Sequence, residues 1–148
     1  MRVKRHFVDT NVLLTASDAD RRQHRACLGL LESGMVGEVS LFASGQVLRE
    51  YLVVATRPRK QNGLGMPITR ALDNLAALRQ CIRILEENGA VVQRLASLSR
   101  KYGISGKRIH DCNIAATMME HGLKRLVTLN PGDFDEIEEL ELTELSPL

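Results

Sequence analysis

Val3-Lys4-Arg5-His6-Phe7-Val8-Asp9-Thr10-Asn11 reads as a short strand that stops at a turn signal and leaves an acid at its C-terminal end. The elements that follow alternate in type. Within 18–32 the apolar residues Ala26, Leu30 and Leu31 recur at helical spacing, and Gly34 is expected to close that helix. Residues 38–43 (EVSLFA) read as a second strand, and Ser44 as the cap of a helix to about Thr56. Val47, Leu48, Tyr51 and Leu52 share one face of that helix, and Pro58 ends it.

The stretch 57–67 (RPRKQNGLGMP) mixes Pro, Gly, Asn and basic residues and is expected to be a long exposed connection. Helices are then expected over 69–80, over 90–101 with Gly103 as the stop, and over 108–120 with Gly122 as the stop. Between and after them lie a weak strand at 81–85, a clear one at 125–129 and a short one within 139–143. No internal repeat or low-complexity linker interrupts this order. Strands alternating with helices predict an α/β sandwich around a mostly parallel sheet, as a single domain over residues 1–148.

Composition agrees. A chain of 148 residues with 44% hydrophobic and 26% charged residues is large enough to bury one core without staples. No apolar run approaches the roughly 18 residues that cross a bilayer, and Asp9 breaks the short Phe7-Val8 stretch too early for a signal peptide. Cys27, Cys81 and Cys112 match no metal-finger spacing and read as reduced, mostly buried thiols of a cytoplasmic protein. The net charge of +2 hides an asymmetry: seven of the 18 acidic residues follow Leu129, where there is no Lys or Arg. Residues 1–130 therefore carry 20 basic against 11 acidic residues, or +9. Such a body favours a polyanionic partner, although a solvated surface explains the same charge.

In parallel sheets, sites form beyond the carboxyl ends of the strands, near the point where strand order reverses. Four acids stand out, Asp9, Glu50, Asp111 and Asp133, and three of them fall at, or one turn from, strand-end connections, so that a parallel sheet would bring them to one rim. Taken singly each has an ordinary reading, as a turn residue (Asp9, Asp133), a solvated helix residue (Glu50) or an acid favoured near a helix N-terminus (Asp111). Together in one pocket they would repel one another and raise one another's pKa values unless a cation sat among them. Oxygen-only ligands favour Mg²⁺ or Mn²⁺ over zinc, and a hard divalent ion among carboxylates suits phosphoryl chemistry.

Four segments in order resemble the PIN-domain family, and within it the VapC-like toxin ribonucleases of type II toxin–antitoxin systems. They are Phe7-Val8-Asp9-Thr10-Asn11-Val12-Leu13-Leu14, Ser44 to Tyr51 continuing to Thr56-Arg57-Pro58, Tyr102 to Gly106 with His110 to Thr117, and Leu126 to Asn130 with Asp133-Phe134. The resemblance implies a PIN-like three-layer α/β/α sandwich with a central, mostly parallel twisted sheet. It implies a metal-dependent endoribonuclease, the toxin of a VapBC-type pair, that hydrolyses RNA phosphodiester bonds with a Mg²⁺- or Mn²⁺-activated water. Asp9, Glu50, Asp111 and Asp133 become the catalytic, metal-holding acids. Asn11, Thr128 and Asn130 become groups that orient them, with Asn130 a candidate to share the role of Asp133; Ser44 either does the same or is a plain helix cap. His110 is expected to be structural. The implied partners are an RNA substrate, a cognate antitoxin protein and a second copy of the chain, with no membrane. Arg57, Arg59 and Lys60, with Lys107 and Arg108, are the candidates for RNA-backbone contact.

Readings from other classes fit less well. A haloacid-dehalogenase-type phosphatase wants an acid where Asn11 stands, and a receiver domain wants a late Lys where none follows Lys124. A dinucleotide-binding fold wants a glycine-rich first loop, which Thr10-Asn11-Val12 is not. The remaining alternative is an inactive or differently targeted PIN-like module that binds RNA or a protein partner without cutting.

Overall fold

Phe7 and Val8 are fully buried because the strand they end lies in the middle of a sheet covered on both faces. The computed structural model describes residues 2–145; Met1 and residues 146–148, the two ends of the expected domain, lie outside the described residues. The elements run β1 (Arg5–Val8), α1 (Thr10–Ala16), α2 (His24–Met35), β2 (Ser40–Ser44), α3 (Gly45–Thr56), α4 (Ile68–Cys81), β3 (Ile82–Leu85), α5 (Gly89–Tyr102), α6 (Arg108–Glu120), β4 (Arg125–Val127) and β5 (Glu141–Thr143). Short 3₁₀ turns occupy Arg59–Gln61 and Pro131–Asp133.

The sheet has five strands in the order β3-β2-β1-β4-β5, and every pairing is parallel. Phe7 stands beside Phe42 of β2 and Leu126 of β4. The chain builds outward from β1 in one direction through β2 and β3, then returns to build through β4 and β5. The order therefore reverses between β1 and β4, which makes their carboxyl ends the expected place for a site. Helices α1 to α4 pack among themselves in one layer, and α5 packs on α6 in another. This is the expected α/β/α sandwich. The sheet is wholly parallel because α-helices carry the chain across between β1 and β2, β2 and β3, and β3 and β4, while a connection with one 3₁₀ turn joins β4 to β5.

Strand ends shift by about two residues, as at β2 (Ser40–Ser44 for 38–43) and β4 (Arg125–Val127 for 125–129), and three larger differences each have a physical reason. Asp9 is followed at once by helix: its Oδ1 accepts from Thr10 N at 2.8 Å, so the expected turn is the N-cap of α1. The second helix begins at His24, not Asp18. The buried Asp18 instead shapes a loop, accepting from Asp20 N at 3.1 Å, and Gln23 adopts a left-handed φ of 67°. Gly34 lies inside α2, which runs on to Met35, and its lack of a side chain makes room for Leu41, whose Cδ1 would sit 2.7 Å from a Cβ there.

The stretch 57–67 is also less exposed than expected. Gly63, Leu64 and Met66 are buried, and the chain returns along the end of α3 through Leu64 N to Val54 O and Met66 N to Ala55 O. A Cβ on Gly63 would lie 1.9 Å from Arg57 O, so only glycine allows this return. Cys27 and Cys112 are buried, Cys81 is half-buried, and all three are free thiols; burial pushes Cys27 up to about 11.

Candidate active site

Asp9 occupies the reversal point of the sheet. Its backbone N–H donates to Val127 O of β4, and its carboxyl is held by both neighbouring segments. Thr10 N donates to Oδ1, while Thr128 Oγ1, just past β4, donates to Oδ2 at 2.9 Å. Asn11 completes the arrangement: its Oδ1 accepts from Leu129 N at 3.1 Å, and its Nδ2 donates to Thr128 Oγ1 at 3.3 Å and more distantly to Asp9 Oδ2. Thr128 Oγ1 also accepts from Asn130 N at 3.1 Å, so the hydroxyl uses its one proton and both lone pairs. Burial raises the pKa of Asp9; the bonds from Thr128 and Thr10 oppose that, and the charges of Glu50 and Asp133 add to it.

Glu50 lies half-buried on α3, on the opposite side of Thr10. Oε2 accepts from Thr10 Oγ1 at 2.9 Å and Oε1 accepts from Gln46 Nε2 at 2.9 Å. Adjacent residues Asp9 and Thr10 thus connect the ends of β1 and β4 to a carboxylate of α3. Asp111 sits in the first turn of α6. Its carboxyl is pushed up to about 6, first by burial and then by the charges of Asp133, Asp9 and Glu50, with Arg108 partly offsetting them. Asp133 ends the 3₁₀ turn after β4 and is exposed; it acts on Asp9 and Asp111 through its charge.

The four acids therefore come from four separate segments and feel one another across one rim. Among the described residues, no three His, Cys, Asp or Glu side chains are drawn close enough to hold an ion between them as they stand. Unneutralised carboxylates repel one another at close range, and Glu50 is held by neutral donors on both oxygens. The donor set, carboxylate oxygens alone with hydrogen-bonded supports, fits a hard divalent cation.

The other candidate residues divide. Asn130 contributes its backbone N–H to Thr128, and among the described residues its side chain makes no hydrogen bond. Ser44 has cap backbone geometry but no side-chain cap bond, and its fully buried hydroxyl has no partner among the described residues. Arg57, Arg59 and Lys60 follow the far end of α3, and Arg59 pairs with Asp18 at 3.5 Å, beyond the far end of α1. Lys107 and Arg108 open α6, one turn from Asp111; Lys107 is exposed and Arg108 pairs with Glu136.

Four contributors are not among the candidate site residues: Thr10, Gln46 and Asn113 lie within the motif segments without a role assigned there, and Glu87 lies outside them. Thr10 reaches Glu50, and Gln46, Glu87 and Asn113 form a chain of hydrogen bonds behind it. Glu87 Oε2 accepts from Gln46 N at 2.9 Å, so an acid from the β3–α5 loop caps α3 where Ser44 does not.

The family model for the PIN domain matches residues 6–140. Ribonuclease VapC24 of Mycobacterium tuberculosis is 26% identical over 136 residues, covering 87% of this chain and 88% of that protein. Among solved structures, VapBC2 from Rickettsia felis, bound to a fragment of promoter DNA, aligns with a TM-score of 0.70 at 18% identity, over 96% of this chain and 99% of the matched one. VapC20 of M. tuberculosis, described as a toxin that cleaves the sarcin–ricin loop, aligns with a TM-score of 0.66 at 16% identity, over 89% and 95%. The DNA-bound VapBC of Salmonella typhimurium aligns with a TM-score of 0.67 at 20% identity, over 97% and 98%. At these identities the structural likeness is one of fold.

Proposed function

The chain belongs to the PIN-domain family, and from that premise we propose that it is a divalent-metal-dependent endoribonuclease, the toxin of a VapBC-type toxin–antitoxin pair. One observation carries the reading: the carboxyl groups of Asp9 at the start of α1, Glu50 on α3, Asp111 on α6 and Asp133 in the turn after β4 act on one another through their charges near the reversal point of the sheet. The likeness to a protein named as a ribonuclease, and in fold to a toxin described as cleaving the sarcin–ricin loop, supports the same direction. The likeness in fold to VapBC complexes supports a cognate antitoxin as partner. Self-association into a homodimer, a cytoplasmic location and a single PIN-like domain over residues 1–148 belong to the same proposal. No helix among the described residues is long and apolar enough to cross a membrane.

Asp9, Glu50, Asp111 and Asp133 would hold the Mg²⁺ or Mn²⁺. Such an ion supplies charge neutralisation at phosphate oxygens and acidification of water near neutral pH. The chain's own part is to present oxygens in fixed directions. Thr10 N is the one donor to Asp9 Oδ1, so that oxygen keeps a lone-pair direction for a cation, while Thr128 and, more distantly, Asn11 hold Oδ2. Thr10 Oγ1 and Gln46 each occupy one oxygen of Glu50, so each of those keeps such a direction. Asn11, bonded to both Thr128 and the backbone at Leu129, keeps the β4 end in register with Asp9.

The test is cleavage of a mixed structured RNA pool in Mg²⁺ or Mn²⁺ by the wild type and by Asp9→Asn purified in parallel. Metal-dependent cutting that disappears in the variant is the expected result. Equal cutting by both would assign the activity to a contaminant and overturn the reading. RNA binding without cutting by either protein would favour a binding module instead.

A further inference from the structure

We propose that Gln46 is a positioning residue that sets the spacing between the carboxylate of Glu50 and the start of α6, with Asn113 and Glu87 holding it in place. The inference rests on the reading of Glu50 and Asp111 as ligands of one divalent cation. Gln46 lies in the first turn of α3, where a solvated polar residue would be ordinary, yet it is 4% exposed. Every hydrogen-bonding group of its amide is used. Nε2 donates to Glu50 Oε1 at 2.9 Å and to His110 O at 2.8 Å; Oε1 accepts from Asn113 Nδ2 at 2.7 Å.

The orientation of this amide follows from its partners' chemistry. A carboxylate and a carbonyl can only accept, so both face the NH₂ end, and an amide NH₂ faces the oxygen. The Asn113 amide is fixed likewise, because its second proton goes to Glu87 Oε1 at 2.7 Å. Glu87 also binds the Gln46 backbone N–H, so it holds Gln46 at two points, directly and through Asn113.

The consequence is geometric. His110 directly precedes Asp111 on α6, so one planar amide fixes the reach from Glu50 to the backbone beside the next acid. α3 packs with α1 and α4 while α6 packs with α5, and Gln46 bridges the two layers at the rim. Carboxylates that repel one another need an outside tie to stay within reach of a shared ion, and Gln46 provides it with neutral donors that leave their charge intact. Partners that orient metal-holding groups are typically worth about 10–100-fold in metal affinity.

The experiment is Mn²⁺ titration of the full chain by calorimetry at 25 °C, with circular dichroism of each metal-free variant to establish that it is folded. The variants are Gln46→Met, which keeps the shape and removes every amide bond, Asn113→Leu, and the double variant. Gln46→Met is expected to raise the Mn²⁺ Kd by about tenfold or more. Asn113→Leu is expected to raise it less, and the double variant no further than Gln46→Met alone, because the two act in one chain. A purely structural role would lower the melting temperature and leave the Kd of the folded protein unchanged.

A wild-type Kd in Gln46→Met overturns the proposal, as do single effects that simply multiply in the double variant. Should Gln46→Met fail to fold, the half-buried Asn113→Leu decides alone, and an unchanged Kd there overturns it. A wild type that binds no Mn²⁺ refutes the cation site itself and the inference with it. That outcome is distinct from tight binding by every protein, which refutes only the role of Gln46.

Discussion

Thr128 Oγ1 donates to Asp9 Oδ2 at 2.9 Å, joining residues 119 positions apart at the ends of the two central strands. The same hydroxyl receives Asn11 Nδ2 and Asn130 N, so it knots three segments around a buried acid. Thr128→Val keeps the shape but leaves Asp9 short of a donor and two N–H groups short of an acceptor. It is expected to cost about 1–3 kcal/mol of unfolding free energy, while Thr128→Ser retains most of it. Urea denaturation of the three proteins without metal measures both; equal midpoints would remove Thr128 from the support of Asp9.

Asp111 predicts a pH dependence whose sign follows from its raised pKa. The folded group titrates at about 6 and the unfolded one near 3.8, so between these values the folded protein binds more protons. Stability from this group is therefore greatest below about pH 4 and falls as pH rises through about 6. Asp111 is only half-buried, and solvent screening reduces the effect to about 1 kcal/mol. His6, whose pKa burial lowers, slopes the other way but is common to both proteins compared. Asp111→Asn should gain stability over the metal-free wild type at pH 7 and lose that advantage near pH 4. Thermal melts at the two pH values check this, and a pH-independent difference would contradict it.

The features readable in the sequence follow local rules. The expected bounds of α6 coincide with Arg108–Glu120, because its stop is a nearby glycine, and Gly103 closes α5 for the same reason. β1 is readable because Phe7-Val8 stops at polar Asp9, and the parallel sheet because strands alternate with helices along the chain. Asp9 and Asp133 stand out through their place just after strands, whereas Glu50 and Asp111 lie on helices and join the set only through the motifs around them. The remainder depends on partners distant in sequence. Gln46 looks like a solvated helix residue until Asn113 and Glu87, 67 and 41 positions away, reach it. Gly34 looks like a helix stop until Leu41 packs on it, and the 57–67 loop looks exposed until it hydrogen-bonds to α3.

That loop supplies a stability prediction. At Gly63 a methyl group would meet Arg57 O at 1.9 Å and Arg57 C at 2.4 Å, both backbone atoms that cannot swing away. Gly63→Ala must therefore displace the chain that buries Leu64 and Met66, at a cost of about 2–4 kcal/mol. Gly89→Ala, with no atom within 4 Å of the added carbon, is the matched control and is expected to be neutral or slightly stabilising. Denaturant midpoints that fall equally for both would contradict this account of the loop.

The candidate RNA contacts can be ranked by position. Lys107 is exposed one turn before Asp111, whereas Lys60 lies beyond the far end of α3 from the rim. Arg59 is a poor probe because reversing it would set a carboxylate against Asp18 and disturb two loops at once. In an Asp9→Asn background, where cutting does not intrude, Lys107→Glu should weaken binding of a single-stranded RNA. It should also flatten the dependence of log K on log salt by about 0.7, the change expected when one phosphate is no longer neutralised. Lys60→Glu should change that slope less. The opposite ranking, read by fluorescence anisotropy across a salt series, would move the RNA track away from the rim and onto the far ends of α1 and α3.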